Sequence, residues 1–451
     1  MSMNWGRALN TAMFLLPFLL FSGRALQQAG LLVLGMGLPV LVYGKLGFIR
    51  GISGVWLMAC LMMGVCFLFP MFDLGLMLFE GRPTLANQVV QWRTFLGGPL
   101  SFFLLLSGLF LMGIAHWSKP HPAAPRPFPD LEGVVLLRSF VKGLFWASVI
   151  LGLYSCLQFL TGYSIYEVAA YRPDRIMAGR FYRVTGFLEH PVAFAGLSLA
   201  SFAFALALGN LNLRTPQRFL DQRTLQGILG IHFLLIAMSG TRMALVVAVL
   251  LVLMMVLKSK ASGKVRLKMM GAVTIGVIGL SWLTGIASRF WEAWDSGQIL
   301  GNRLVFWQVH WQVFLDHPFF GAGHHWLKQG GRDYYYNLLG HEGFLQKYSA
   351  HNIYLEILSN VGVVGFLALF VSVLWMGVSL KRRSTTLVAR FICSGLFLAF
   401  LSLLIFGFTQ NTLFDTSTLL PLLYFFWLLF WVQIGEKEGG TNGARAFSLY
   451  L

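Results

Sequence analysis

The chain has 451 residues, of which 57% are hydrophobic and only 11% are charged. Soluble domains carry about 25% charged residues, so this composition excludes a soluble globular protein and predicts an all-α polytopic membrane protein. The formal net charge of +17 would also suit a nucleic-acid-binding protein, and its distribution along the chain decides between these two explanations.

Apolar stretches that suit membrane helices recur along the whole chain. A crossing helix needs about 20 apolar residues, and the sequence predicts about twelve transmembrane helices. They are expected near 8–22, 29–44, 52–71, 95–117, 134–160, 186–209, 225–240, 242–257, 269–288, 352–379, 390–409 and 417–434. The stretches at 29–44, 225–240 and 242–257 are short, so we expect one or two of them to be tilted or broken.

One large hydrophilic loop divides the chain. The sequence predicts spans one to nine within 1–288, a loop with about two helices at 289–351, and the last three spans with a tail at 352–451. The first loop helix is predicted to begin at Arg303 after a capping Asn302. Its aromatic residues recur at helical spacing, which also suits a helix lying in the membrane interface. The second loop helix is predicted over 333–348.

The basic residues are distributed unevenly across the predicted topology. One side collects clusters such as Lys258 to Lys268 and Lys381 to Arg390, and an excess of Lys and Arg marks the cytoplasmic side. Both termini are therefore predicted to be cytoplasmic, and the charge serves topology and contact with anionic lipid, not nucleic acid. On the opposite side the only lysines are Lys328 and Lys347. Because Arg grips phosphate bidentately, this asymmetry predicts an outer site for a phosphorylated ligand; pairing with acids in loops is the alternative.

A histidine stands at the outer mouth of the tenth predicted span. Either Ser349 or Asn352, on the two sides of this histidine, is predicted to cap the helix. Gly362 and Gly365 lie deeper, where a neighbouring helix is expected to approach closely. The positive end of the helix dipole disfavours an imidazolium ion, so His351 is a candidate general base. An ordinary interfacial histidine is the alternative.

These four positions resemble the signature of the O-antigen ligase family. In that signature His and then Asn, Ser or Gln are followed after nine residues by Gly, and two residues later by Gly, Thr or Tyr; His351, Asn352, Gly362 and Gly365 match it. The family is similar in having about twelve spans and a large periplasmic loop just before the histidine. The resemblance implies a GT-C-like glycosyltransferase architecture in the bacterial inner membrane.

The resemblance also implies a reaction. O-antigen ligases transfer a glycan from undecaprenyl diphosphate to a hydroxyl of the lipid A–core oligosaccharide at the periplasmic face, by inverting displacement and without metal or cofactor. The family uses periplasmic arginines on the diphosphate and a histidine in the catalytic centre. These roles are carried onto Arg242, Arg303 and Arg183 for the diphosphate and onto His351 for catalysis. For each arginine, snorkelling or acid pairing at the interface is the alternative.

Three further polar residues are candidates for supporting roles. Asn352 follows the histidine directly, while Glu189 and His190 precede the sixth span and are placed to orient Arg183 or bind sugar. Helix capping is the alternative for the latter pair. Glu356 lies five positions after His351, off its helical face, and is not predicted to orient the imidazole.

Other functions remain open at this stage. An O-antigen polymerase shares the topology and the diphosphate chemistry, and a protein O-oligosaccharyltransferase differs only in its acceptor. A transporter of lipid-linked sugars needs ionisable residues at mid-membrane depth, and the predicted spans have almost none. No metal site is predicted, because His317, His324 and His325 have no fitting acid cluster nearby.

Overall fold

The computed structural model is mostly helical. It describes residues 131–164, 176–177, 181–188, 190–215, 218–259, 262–295, 302–323, 327, 331–341, 349–383 and 387–410, together with Thr11, Phe14, Leu15, Pro17 and Phe18. The elements in this part of the chain are α1 (Leu131–Thr161), β1 (Ile176–Met177), β2 (Phe181–Tyr182), α2 (Pro191–Arg214), α3 (Gln222–Met238), α4 (Arg242–Leu257), α5 (Gly263–Leu283), α6 (Ile286–Asp295), α7 (Arg303–Asp316), α8 (Arg332–Leu338), α9 (Ile353–Arg383) and α10 (Leu387–Phe406). The two short strands form an antiparallel ribbon that pairs Ile176 with Tyr182 and Met177 with Phe181.

Several of these helices suit a membrane. Four described segments are long and apolar enough to cross it: Val134–Thr161, Pro191–Arg214, Gly263–Leu283 and Val388–Phe406. Helix α4 and the first half of α9 are shorter apolar helices. The protein is therefore a helical membrane protein with several apolar helices. The predicted spans at 8–22 (apart from the five scattered residues), 29–44, 52–71, 95–117 and 417–434 lie outside the described residues, so the number twelve stays a prediction.

Helix α2 lies at the centre of the described bundle, where it packs against α3 and α10, while α1 packs against α3. Small residues such as Ala193, Ala195 and Ala200 are buried along α2 and allow neighbouring helices to approach closely. On α10, a Cβ at Gly395 would lie 2.5 Å from the Phe204 ring of α2. Close packing at small residues therefore positions the helices that carry the site.

The two short spans predicted at 225–240 and 242–257 are the unbroken helices α3 and α4. They meet at a tight corner in which Gly240 has a φ of +65°, a conformation that glycine adopts without strain. This corner delivers Arg242 to the first position of α4.

The segment predicted as the outer loop contains three described helices. The first, α6, follows α5 after a break at Gly285, whose φ is +73°. The second, α7, begins at Arg303 as predicted, but Asn302 makes no side-chain capping hydrogen bond. The backbone of Asn302 has φ −72° and ψ 3°, outside the extended region from which a capping side chain reaches the helix. The capping role predicted for Asn302 is therefore wrong.

The third loop helix, α8, corresponds to the helix predicted over 333–348 and is shorter than predicted. Helix α8 ends at Leu338, because Gly340 takes a left-handed conformation with a φ of +74° and His341 donates its backbone N–H to the Tyr336 carbonyl at 2.8 Å. Such a glycine closes a helix. Residues 342–348 lie outside the described part of the chain.

Helix α9 is interrupted near its middle. Gly362 has φ +66° and ψ −170°, and the loop after α7 inserts its backbone at this break. The Val363 N–H donates to the Pro318 carbonyl at 2.8 Å and the Ala322 N–H to the Ser359 carbonyl at 2.9 Å. A Cβ at Gly362 would overlap the Phe319 backbone. Gly362 thus admits a loop, not the neighbouring helix that the sequence predicted.

Gly365 makes a close contact within its own helix. A Cβ at this position would overlap the side chain of Val361 in the same helix. The close contact that the described residues make at Gly365 is therefore within α9, one turn away, and the predicted approach of a neighbouring helix stays a prediction.

Candidate active site

The turn that opens α9 holds His351 in an unusual conformation. His351 is the only non-glycine residue with a positive φ, +46°, in the described part of the chain. Its neighbour Asn352 accepts backbone hydrogen bonds from Tyr354 at 2.9 Å and Leu355 at 3.2 Å, which confirms the predicted helix cap. The Ile353 N–H donates to the Gly407 carbonyl at 2.8 Å. A left-handed conformation costs a non-glycine residue about 1–3 kcal/mol and is concentrated at functional sites.

The imidazole of His351 contacts groups from several elements. The Phe306 ring of α7 lies 5.7 Å away between centroids, and the Gln410 side chain hydrogen-bonds to the imidazole. Burial and the nearby positive charge of Arg303 lower the pKa of His351, with a further lowering by His190; the Gln410 hydrogen bond and the charge of Glu356 oppose them. His351 is therefore neutral at pH 7, as a general base requires.

Three arginines gather next to this histidine. Burial lowers the pKa of Arg303, and the positive charge of Arg242 lowers it further. Burial and Arg242 lower the pKa of Arg289 in the same way, while Glu292 opposes them. Arg289 also donates Nη1 to the Gly240 carbonyl at 3.4 Å. A guanidinium group keeps its proton in proteins, so the three side chains form a positive cluster from α4, α6 and α7.

Arg289 was not among the diphosphate-binding residues predicted from the sequence. The excess of arginine on the outer side included it, but no spacing marked it among the others. Its place in the cluster follows from the break at Gly285, after which Ile286 at the start of α6 is buried, whereas Phe290, Trp291 and Trp294 further along the helix are exposed.

Arg183 lies at the corner that precedes Arg242. Its Nε donates to the Ser239 carbonyl at 3.0 Å, and the adjacent Val184 N–H donates to the Met238 carbonyl at 3.1 Å. The structure therefore places Arg183 beside the end of α3 and connects it with Arg242 through the α3–α4 corner.

His190 caps helix α2. Its Nδ1 accepts the Val192 N–H at 3.2 Å, and Pro191 occupies the first position of the helix. Because His190 also influences the pKa of His351, its side chain belongs to the same site. Glu189, its predicted companion, lies outside the described residues.

A buried ionic network lies behind the His351 turn. Glu356 has no exposed surface; its Oε1 lies 3.1 Å from Nη2 of Arg332, and its Oε2 accepts the Ala350 N–H at 2.7 Å. His310 of α7 places Nε2 3.8 Å from Oε2 of Glu356 and Nδ1 2.7 Å from the Ser359 hydroxyl. No orienting role was predicted for Glu356, because helical spacing puts it off the face of His351. Residues 349–351 are not helical, however, and the Ala350 N–H donates to the carboxylate.

Residues 227–370 match the family model described as O-antigen ligase. The match confirms the resemblance to the O-antigen ligase family. It begins within α3 and ends within α9, so it contains the α3–α4 corner, the loop helices and the His351 turn. No curated protein matches the chain.

The O-antigen ligase match encloses most of the site but not all of it. Arg242, Arg289, Arg303, His351 and Glu356 fall within it. Other residues of the site come from before and after the matched region: Arg183, His190 and Gln410. Residues next to the first residue of α2 and after the end of α10 therefore belong to the site together with those of the matched region.

Metal ligation finds no geometric support among the described residues. No group of three or more His, Cys, Asp or Glu side chains there is arranged to hold a metal ion. His317 belongs to that part of the chain, whereas His324 and His325 lie outside it. Metal-independent transfer accordingly stays a prediction.

Proposed function

We propose that the protein is an O-antigen ligase of the bacterial inner membrane. It transfers a completed glycan from undecaprenyl diphosphate to a hydroxyl of the lipid A–core oligosaccharide, at the periplasmic face. The observation that carries this proposal is the position of a neutral His351 beside Arg242, Arg289 and Arg303. The family match over the same residues supports it.

The proposed reaction is a single inverting displacement. His351 takes the proton from the acceptor hydroxyl, and the acceptor oxygen forms a bond with the anomeric carbon of the donor sugar. The bond between that carbon and the diphosphate oxygen breaks, and its electron pair leaves with the lipid diphosphate. The proton stays on the imidazole until solvent or the leaving group takes it. No covalent intermediate with the protein is needed.

The arginine cluster would stabilise the leaving group. Negative charge develops on the diphosphate as the sugar–oxygen bond breaks, and positive side chains that are already in place are favoured stabilisers of such charge. Removing one preorganised donor of this kind typically costs about 2.7–4 kcal/mol. Arg183 extends the proposed diphosphate site from the α3–α4 corner, while His190 and Asn352 are proposed to support it by capping α2 and α9.

The architecture suits two lipid-linked substrates. Arg242 begins the apolar helix α4, and Arg289 lies on α6, which follows the apolar helix α5. A diphosphate anchored by a polyprenyl chain would lie near these helix ends. The loop helices α6, α7 and α8 would face the sugars. We infer that both termini are cytoplasmic, in keeping with the cytoplasmic excess of basic residues.

The test compares a strain that lacks the gene with the same strain carrying wild-type protein or His351→Ala. We expect the deletion to give bare lipid A–core and long glycan still attached to the lipid carrier, wild-type protein to restore ligation, and His351→Ala to be folded and inserted but inactive. A core capped by one repeat unit would indicate a polymerase and overturn the proposal, as would a glycan found on protein Ser or Thr. Wild-type turnover by His351→Ala would remove the general-base role.

A further inference from the structure

His351 is held in place from both sides of its turn. On the C-terminal side, Asn352 caps α9 and the Ile353 N–H binds the Gly407 carbonyl. On the N-terminal side, the Ala350 N–H donates to Oε2 of Glu356 at 2.7 Å. A residue with a φ of +46° keeps that conformation only where its surroundings over-determine it, so these backbone contacts are needed for the turn.

Glu356 is itself fixed by two loop helices. Arg332 of α8 lies 3.1 Å from its Oε1, His310 of α7 lies 3.8 Å from its Oε2, and Asn360 donates to Oε1 at 3.3 Å. A carboxylate without exposed surface is tolerated when it is paired and hydrogen-bonded. Its position therefore depends on α7 and α8 being docked against α9.

We propose that Glu356 is a positioning residue of the proposed transfer reaction: it fixes the backbone of the His351 turn and couples that turn to the docking of α7 and α8. The inference rests on the proposed function, because it assumes that His351 is the base. Glu356 acts through the Ala350 N–H and the Arg332 pair, without touching substrate. Helix α7 also carries Arg303, so the same docking sets the base and the diphosphate site together.

Two single variants separate the reach of the side chain from its charge. Glu356→Asp keeps the charge but shortens the side chain by one methylene, so the contact with the Ala350 N–H is lost. Glu356→Gln keeps the reach, since the amide oxygen accepts the same N–H, but it removes the negative charge. Among the described residues, the groups around His351 that titrate or carry charge are Arg303, Glu356 and His190; those around Glu356 include Arg332, His310 and Tyr336.

The experiment measures transfer by purified protein from a polyprenyl-diphosphate glycan to lipid A–core, per folded molecule and across pH. For Glu356→Asp we expect kcat to fall at least tenfold with the donor KM within twofold of wild type. For Glu356→Gln we expect a smaller loss of kcat. We also expect the acid limb of the profile of kcat against pH, where kcat falls, to move to lower pH, because the negative charge of Glu356 that favours the imidazolium is gone. Wild-type kcat in Glu356→Asp would overturn the proposal.

Two controls make the result decisive. Asn212→Ala removes a buried amide that binds the Leu220 backbone at the far end of α2; it is expected to lower thermal stability without changing kcat or the pH profile. If the single variants do not fold, Glu356→Gln with Arg332→Gln removes both charges and avoids an unpaired buried ion. This double variant is expected to fold with its acid limb at lower pH, and an acid limb at the wild-type position would overturn the proposal.

The chemical reactivity of His351 can be measured without substrate. It therefore distinguishes a failure of the positioning role of Glu356 from a failure of the proposed function. Diethyl pyrocarbonate modifies neutral histidine, and mass spectrometry follows the peptide that contains His351. We expect faster modification in Glu356→Asp than in wild type, because the released turn exposes the imidazole; an unchanged rate would count against the proposal. Absence of transfer by wild-type protein would defeat the proposed function alone, since the reactivity of His351 would still report on the turn.

Discussion

His351 combines a left-handed backbone, which costs free energy, with a half-buried imidazole beside a cation. The backbone places the ring against Phe306 and Gln410, and the surroundings keep the ring unprotonated. The sequence predicted a neutral histidine from the helix dipole alone. The structure assigns the effect first to burial and then to Arg303, which come from the fold and not from the local sequence.

The pH dependence of transfer follows from these surroundings. Since the pKa of His351 is lowered from about 6.5, activity is expected to be full at pH 7 and to fall as pH drops through a value below about 6.5. Gln410→Leu removes a hydrogen bond that raises this pKa, so its acid limb is expected at lower pH than that of wild type. The measurement is kcat of purified protein between acid and neutral pH.

A matched substitution controls for the change from glutamine to leucine. Gln312 of α7 binds Asp316 at 3.0 Å on an exposed part of the helix, and Gln312→Leu is expected to leave the acid limb where it is. An acid limb of Gln410→Leu at the wild-type position, or one moved to higher pH, would contradict the assignment.

At the scale of the element, hydropathy located the helices well and their interruptions poorly. The predicted span at 134–160 corresponds to α1 and that at 390–409 to α10. Hydropathy locates such helices because a helix that crosses a bilayer needs a long run of apolar residues. The span predicted at 186–209 begins later, at Pro191, since His190 caps α2 and residues 186–188 form a turn. We expected one or two of the short spans to be tilted or broken, but α3 and α4 are unbroken; apart from the break at Gly285, the break in the described residues is in α9. It depends on the φ of Gly362, which hydropathy does not encode.

Gly362→Ala tests the inserted loop. The combination of φ +66° and ψ −170° is essentially restricted to glycine, and the strain in another residue is about 1–3 kcal/mol. The added Cβ would also overlap the Phe319 backbone, so we expect a lower melting temperature in detergent. Transfer per folded molecule is expected to fall as well, because the displaced loop continues from α7, which carries Arg303.

Gly230→Ala is the control for this glycine. Gly230 lies within α3, and a Cβ there meets nothing within 4 Å; alanine in a helix interior is favoured over glycine by about 0.5–1 kcal/mol. Its melting temperature is expected to equal or exceed that of wild type. A melting temperature of Gly362→Ala as high as that of wild type would show that the loop insertion is not needed for stability.

At the scale of the molecule, the site is assembled from parts that are distant in the chain. Arg242 begins α4, Arg289 lies on α6 and Arg303 begins α7. Gln410 follows the end of α10. Arg242, Arg303 and His351 were predicted through their resemblance to a family motif and layout. The sequence did not predict Arg289, Gln410 or the Glu356 network, because their roles depend on tertiary contacts between residues far apart in sequence.

Arg289 offers the sharpest test of this assembly. If it completes a diphosphate site with Arg242 and Arg303, Arg289→Ala should lower kcat/KM by about 10²–10³, measured with purified protein and lipid-linked donor. Arg289→Lys should fall between this variant and wild type, because it keeps the charge but loses the planar fork. Arg266→Ala, at the other end of α5, changes an arginine that binds the Leu257 carbonyl and should leave kcat/KM unchanged. If Arg289→Ala kept the wild-type value while Arg303→Ala was inactive, the diphosphate site would consist of fewer arginines, and Arg289 would not belong to it.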